Sequence, residues 1–180
     1  MKEEKKTNFI VSFLIDTAVW VVIFFVLCNY IIMPARVNGR SMYPTLTDGA
    51  YGFSTRIGVA MNGVERFDIV AIYKPEQKKH IIKRVIGLPG DTVSCVDGDL
   101  YINGEIVEEP YLDTEYAKNN TQPFTKDFGP VTLGEDEYFC MGDNRVDSHD
   151  SRNDGPYKFE QIKSKHYFIV FPFNQCGLRG

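Results

Sequence analysis

The chain has 180 residues, which is enough for one domain with its own hydrophobic core. Its 20 basic and 24 acidic residues give a formal net charge of −4, and the sequence pI is about 5.4. A nucleic-acid-binding protein needs a basic face, so this charge balance argues against that class. We therefore expect no nucleic acid among the partners.

A long apolar segment lies near the N-terminus. Residues 17–33 carry no charged side chain, and the segment extends back to residue 9 with only Asp16 interrupting it. About 20 apolar residues span a bilayer. The segment is longer than a signal-peptide core, and no small-x-small cleavage site follows it. We predict a retained membrane anchor over residues 9–33 after a short segment, residues 1–8. A buried helix of a soluble protein is the less favoured alternative.

The charges that flank this segment predict its orientation. Slightly more basic residues precede the segment than follow it closely, and basic residues favour the cytoplasmic side of a membrane. We expect residues 1–8 in the cytoplasm, residues 34–180 outside the plasma membrane, and membrane lipid as a partner. The residues concerned are Lys2, Lys5, Lys6, Arg36 and Arg40.

Short strands dominate the rest of the chain. Asn103-Gly104 and Asp97-Gly98 separate apolar runs, and both dipeptides are strong hairpin signals. Residues 111–130 are polar and lack periodicity, so we interpret them as a surface excursion. We predict a mainly β fold, an antiparallel β-barrel or coiled-sheet catalytic domain preceded by one N-terminal transmembrane helix. The predicted strands cover residues 67–73, 79–87, 91–96, 100–103, 105–107, 137–141 and 166–173.

The four cysteines do not form a recognisable framework. Cys28 lies in the apolar segment, and Cys95, Cys140 and Cys176 remain, an odd number without metal-ligand spacing. We expect buried free thiols. A Cys95–Cys140 disulfide remains an open alternative.

A serine follows the apolar segment in the stretch NGRSMYPTL. A serine hydroxyl is a poor nucleophile unless a base accepts its proton, so a catalytic Ser41 requires a base. None of the three histidines falls in a metal-binding motif, and we expect no metal site. Ser41, His149 and Asp150 could form a triad. However, adjacent residues such as His149 and Asp150 rarely meet at one nucleophile, so this alternative is weak.

Lys83 is the better candidate base. Strand alternation in HIIKRVIG places Lys83 on one face with the apolar Ile81 and Val85. An amine on an apolar face is desolvated, and desolvation lowers its pKa. We therefore expect a neutral amine that can accept the serine proton. An ordinary lysine on an exposed strand face is the alternative.

A third stretch, residues 141–155, is dense in charged and hydroxyl side chains. It is either a solvated, hydrogen-bonded loop or a support for the site, in which carboxylate–guanidinium pairs fix the backbone and a serine orients the lysine. Its members include Asp143, Arg145, Asp147, Ser148, Asp150, Ser151 and Arg152.

These stretches together resemble the bacterial type I signal peptidases (leader peptidases, the S26 family), in their short Gram-positive form. They are SMYPTL at 41–46, KRVIGLPGD at 83–91 and GDNRVDSHDSR at 142–152. The resemblance implies a membrane-anchored serine endopeptidase that removes N-terminal signal peptides from exported preproteins after small residues. It also implies a place near the secretion machinery, and a Ser-Lys mechanism that needs no cofactor.

The resemblance further assigns roles to single residues. Ser41 would be the nucleophile and Lys83 the general base, while the backbone N–H of Ser41 would hold the oxyanion. Gly39 stands where long-form relatives carry a serine that adds a second donor. Ser148 would orient Lys83. The supporting ion pairs would be Arg84–Asp143 and Asp150–Arg152, and the shallow substrate pockets would be lined by Met42, Pro44 and Ile81.

Two positions depart from the family pattern, and two other functions stay open. Phe67 and Ser164 stand where the family usually has glycine. A self-cleaving regulator could also use a Ser-Lys dyad, but such proteins are cytosolic and carry a DNA-binding domain. A specialised or non-proteolytic membrane-anchored factor in surface-protein or pilus assembly is the second alternative.

Overall fold

An apolar helix leads directly into the β domain. The computed structural model describes residues 2–179, without the side chains of residues 2–8, 28 and 29. Helix α1, Lys2–Val26, continues as a π-helical turn, Leu27–Ile31. The helix is long and apolar enough to cross a membrane, since Phe9–Val26 has a mean hydropathy of 2.5. Strand β1 follows at once, so residues 32 and 33 of the expected anchor lie in a sheet.

Two antiparallel sheets follow the helix. The large sheet has the order β1-β2-β11-β3-β4-β9-β10, with β12 also pairing with β11, and the small sheet has the order β7-β6-β5-β8. The large sheet consists of β1 Ile32–Arg36, β2 Tyr51–Thr55, β3 Ile69–Lys74, β4 Lys79–Gly87, β9 Glu137–Met141, β10 Tyr157–Lys158, β11 Ile162–Phe171 and β12 Gly177–Arg179. The small sheet consists of β5 Thr92–Val96, β6 Asp99–Ile102, β7 Glu105–Ile106 and β8 Phe128–Thr132. Short helices are α2 Ile57–Asn62, α3 Glu115–Lys118 and α4 Ser151–Asp154.

The mainly antiparallel β fold is confirmed, but within the described residues the large sheet is not closed into a barrel. Strands β1 and β10 lie at opposite ends of its order and do not pair. Both predicted hairpin turns are present. Asn103 and Gly104 have φ angles of 56° and 85°, and Asp97 and Gly98 have 55° and 90°, as a type I′ turn requires.

The surface excursion predicted for residues 111–130 is only partly correct. The segment contains α3 and the start of β8, and Phe124 and Thr125 are buried in it. Strand β8 was not predicted, because Gly129 interrupts its apolar pattern. The φ of Gly129 is 84°, and a Cβ there would lie 2.7 Å from the Val93 carbonyl oxygen. The sheet can approach this closely only at a glycine.

Strand β4 lies where the apolar clusters meet. Ile82 packs against one buried cluster, Ile81 and Val85 against a second, and Ile86 belongs to a third. This packing fixes the strand on both faces, so Lys83 between them is also buried.

The expectation of free thiols holds for the described cysteines. Cys95 and Cys140 are buried and unpaired, and Cys176 is free and exposed. The side chain of Cys28 lies outside the described part.

Candidate active site

The structure places Ser41 and Lys83 in direct contact. Ser41 lies in the turn after β1, and Lys83 lies in β4 opposite Val70 of β3. The Lys83 Nζ is 2.7 Å from the Ser41 Oγ. This is the distance of a good hydrogen bond, so a proton can pass between the two atoms.

Burial makes the Lys83 amine bind its proton less tightly than the amine of an ordinary lysine does. Lys83 is 3% exposed. Burial lowers its pKa from 10.5 to about 8, against the opposing effect of the Asp150 carboxylate. At pH 7 a pKa of about 8 leaves roughly a tenth of the molecules with a neutral amine. The amine expected to be neutral at rest is therefore mostly protonated at pH 7, although far more available than an ordinary lysine.

The turn that carries Ser41, the nucleophile turn, is stabilised by contacts of its own residues. Gly39, at φ 93°, donates its N–H to the Asp48 Oδ1 at 2.7 Å. The Gly39 N–H, which lies close to Ser41 in the turn, is therefore already used in a hydrogen bond to Asp48. Met42 is 1% exposed and packs with Leu46 in a core cluster, which fixes the residue after Ser41.

Asn144 ties this turn to the loop after β9. Its backbone N–H donates to the Ser41 carbonyl at 3.0 Å, and its side-chain amide donates to the Arg40 carbonyl at 3.0 Å. The Tyr116 hydroxyl donates to the Asn144 Oδ1 at 3.2 Å and so orients the amide. Asn144 is fully buried. Sequence reasoning missed this residue, although it lies inside the quoted GDNR stretch.

Gly142 allows the two loops to approach each other. A Cβ at this position would lie 2.3 Å from both the Ser41 carbonyl oxygen and the Ser148 Oγ. Any larger residue would push the nucleophile turn away from the loop, so the glycine is required by close packing.

Asp150 is the centre of the hydrogen bonds behind Lys83. Its buried carboxylate accepts from Arg152 Nε at 2.8 Å, from the Gly142 N–H at 2.9 Å and from the Ser148 hydroxyl at 2.6 Å. Burial opposes ionisation of Asp150, but these donors, Arg152 foremost, hold its pKa below the usual value. Ser148 therefore points to Asp150 here, and its expected role in orienting Lys83 stays a prediction.

Arg84 and Asp143 form a buried bidentate pair, as expected. Arg84 donates from Nε at 2.9 Å and from Nη2 at 2.7 Å, and the Thr45 hydroxyl adds a bond of 2.6 Å to the same carboxylate. A third Arg84 donor reaches the Phe67 carbonyl at 2.8 Å. Phe67 has a φ of 72°, a conformation that explains why glycine suits this position in the family. The pair links β4 to the turn that carries Ser41.

Comparison with known proteins identifies the family. A family model for signal peptidase, peptidase S26, matches residues 10–171. The chain belongs to this family. It is 41% identical to a Signal peptidase I from Bacillus amyloliquefaciens over 97% of both chains. It is also 39% identical to Signal peptidase I T from Bacillus subtilis (strain 168), over 96% of this chain and 91% of the relative.

A solved signal peptidase I structure is also similar. The crystal structure of the protein from Enterococcus faecalis V583 superposes with a TM-score of 0.52 at 37% identity, over 57% of this chain and 95% of that chain. The resemblance drawn from the three sequence stretches is thus confirmed at the level of the family.

The departure at Ser164 has a local explanation in this signal peptidase. Ser164 is fully buried in β11, and its Oγ lies 2.8 Å from the Ser54 Oγ of β2. The extra hydroxyl therefore has a partner across the strands, and among the described residues every buried side-chain nitrogen and oxygen has a hydrogen-bond partner.

A cleft of about 400 Å³ opens beside the dyad. Met42 and Ile81 line it together with Ser41 and Lys83, but Pro44, which was also expected there, does not. His149 lies at the rim, where its Nε2 is 2.8 Å from the Asp154 Oδ1. The triad alternative receives no support, because within the described residues His149 makes no hydrogen bond to Ser41.

Proposed function

We propose that this signal peptidase is a membrane-anchored serine endopeptidase in which Ser41 attacks the peptide bond and Lys83 is the general base. Membership of the S26 family and identities near 40% to Bacillus enzymes support signal-peptide cleavage. The observation that carries the dyad is the 2.7 Å contact between a buried amine and the serine hydroxyl.

The reaction follows from these two groups. Neutral Lys83 accepts the Ser41 proton while Oγ bonds to the scissile carbonyl carbon. The backbone N–H of Ser41 has no partner within the described chain, so it is free to donate to the oxyanion. Protonated Lys83 then gives its proton to the leaving amine, and an ester on Ser41 remains. Water, deprotonated by Lys83, hydrolyses the ester and restores the serine.

The substrate would bind as an extended strand on β4. Residues 79–83 pair with β3 on one side, whereas β9 pairs with β4 only from Arg84 onward. The other edge of residues 79–83 is therefore open, and it lines the cleft. An open edge accepts a peptide strand through main-chain hydrogen bonds. The apolar Met42 and Ile81 would face the small side chains before the scissile bond.

The helix would keep this site at the membrane surface. Ser41 lies ten residues after Ile31, the end of the helical segment, so it can be at most roughly 35 Å away. The end of a signal peptide's apolar core would be presented at the same level. The lysines near the N-terminus favour a cytoplasmic N-terminus and a catalytic domain outside the plasma membrane.

The test is cleavage of a signal-peptide precursor by the full chain in neutral detergent micelles. Wild type should cut after a small residue, and Ser41→Ala and Lys83→Ala should each lose at least about 10³-fold in rate. Lys78→Ala, an exposed neighbouring lysine, is the matched control and should cleave normally. Unchanged cleavage by Lys83→Ala would refute the dyad. Failure of wild type on several precursors would favour the specialised or non-proteolytic factor.

A further inference from the structure

A second cavity adjoins the catalytic cleft. Its volume is about 290 Å³, and it shares Lys79, Ile81 and His149 with the cleft, while Lys74 and Gln77 complete its wall. Unlike the region around Met42, this wall is dominated by polar and cationic side chains. A pocket with these donors fits a polar or anionic side chain better than an apolar one.

Lys79 is the free cation of this cavity. Lys74 is paired with the Asp154 carboxylate at 2.7 Å, and the same carboxylate holds His149 at 2.8 Å. Among the side chains that the structure describes, Lys79 has no ion pair, and it is exposed at the cavity wall. Asp147 lines the neighbouring cleft but not this cavity. The positive charge of Lys79 is thus available to a ligand.

The strand register relates this cavity to the scissile bond. Lys83, Ile81 and Lys79 are two residues apart and therefore lie on the same face of β4. Lys79 lies four residues, roughly 13 Å, from the catalytic lysine. In a substrate strand along the open edge, side chains on that face recur every second residue. If that strand runs parallel to β4 with its scissile bond at Ser41, the residue before the bond would lie level with Lys83, the third residue before it with Ile81, and the fifth with Lys79.

We propose that this cavity is a further substrate subsite, which takes an acidic side chain at the fifth residue before the scissile bond and binds it through Lys79. The inference rests on the proposed function. The carboxylate would also meet the side-chain amide of Gln77. Precursors with aspartate or glutamate at that position are cleaved faster than those with lysine there.

The test uses three peptide substrates that differ only in having Asp, Gln or Lys at that fifth position, with the full chain in neutral micelles. Wild type should prefer the Asp over the Lys peptide in kcat/KM by roughly fivefold or more, and salt should weaken this preference. Lys79→Gln should abolish the preference, and Lys79→Glu should reverse it. Thermal unfolding of each variant, followed by circular dichroism, checks that it is folded.

Two controls separate this subsite from a general electrostatic effect. Lys78→Glu changes the same charge outside the cavity and should keep the wild-type preference. The charged residue can also be moved to the fourth position before the scissile bond, which faces the other side of the substrate strand. This change should remove most of the preference between the Asp and Lys peptides. An unchanged preference in Lys79→Glu, or an equal change in Lys78→Glu, would overturn the subsite alone. Failure of wild type to cleave even the Gln peptide would overturn the proposed function as well.

Discussion

Replacing Lys83 with methionine should inactivate this peptidase and yet stabilise its fold at neutral pH. Methionine keeps the volume and flexibility of the lysine stem without its charge. In the folded chain Lys83 is 3% exposed, and burial lowers the pKa of its amine from 10.5 to about 8. Holding the protonated amine in that place therefore destabilises the folded state, and the substitution removes this cost.

The magnitude follows from the pKa difference. One pKa unit corresponds to about 1.4 kcal/mol, so a fall from 10.5 to about 8 corresponds to a cost of about 3 kcal/mol while both states are protonated. Loss of the hydrogen bond to Ser41 offsets about 1 kcal/mol of the gain. A net gain of about 2 kcal/mol raises Tm by about 4–8 °C for a chain of this size.

The sign of the pH dependence is the sharper part of this prediction. Below pH 8 both states carry the proton and the cost is complete. Between 8 and 10.5 only the unfolded state binds the proton, so wild-type stability rises with pH. The advantage of Lys83→Met should therefore shrink over that range, and above it the variant should be less stable than wild type by about 1 kcal/mol, the contribution of the lost hydrogen bond.

Thermal unfolding of the full chain in micelles, followed by circular dichroism from pH 7 to pH 10.5, measures this effect. Ser41→Ala is the matched control, because it abolishes activity while it leaves the amine buried, and it should show no such gain. A Tm of Lys83→Met equal to or below wild type at pH 7, or a gain that does not change with pH, would refute the reasoning.

Three further substitutions probe the support of the site. Asp143→Asn leaves the buried Arg84 without its counter-charge, so unfolding experiments should show a loss of about 3–5 kcal/mol. Asn144→Ala frees the turn that carries Ser41, and steady-state kinetics should show kcat reduced tenfold to a hundredfold, besides a loss of stability of about 1–3 kcal/mol. Ser164→Gly removes one of the two hydrogen bonds of Ser54, which keeps a longer one to the Met33 carbonyl, so it should lower stability by about 0.5–1.5 kcal/mol but preserve kcat/KM. Wild-type values in the respective assays would contradict each expectation.

The sequence predicted the parts of the site that depend on local patterns. Alternation along residues 79–87 correctly placed Lys83 with Ile81 and Val85, because a strand repeats every two residues. The turn residues of the small sheet were equally readable, since positive φ restricts the choice of amino acid. These features depend on neighbours along the chain and can therefore be predicted from a short stretch of sequence.

Other features depend on residues that are distant in the chain. Asn144 binds the carbonyls of Arg40 and Ser41, and no periodicity relates positions a hundred residues apart. Strand β1 was hidden because its residues continue the apolar segment and include Pro34. Pro44 was expected in the substrate pocket from the resemblance to the family, and it does not line the cleft.

The pH dependence of kcat/KM for an uncharged peptide substrate tests the central claim most directly. If Lys83 is the base, the rate should rise through a single acid limb near its pKa of about 8 and then level off. A limb near 6.5 would instead indicate a histidine, with His149 the first to examine, and a limb near 10.4 would indicate an ordinary exposed lysine. Either of these results would contradict the buried Ser41–Lys83 dyad.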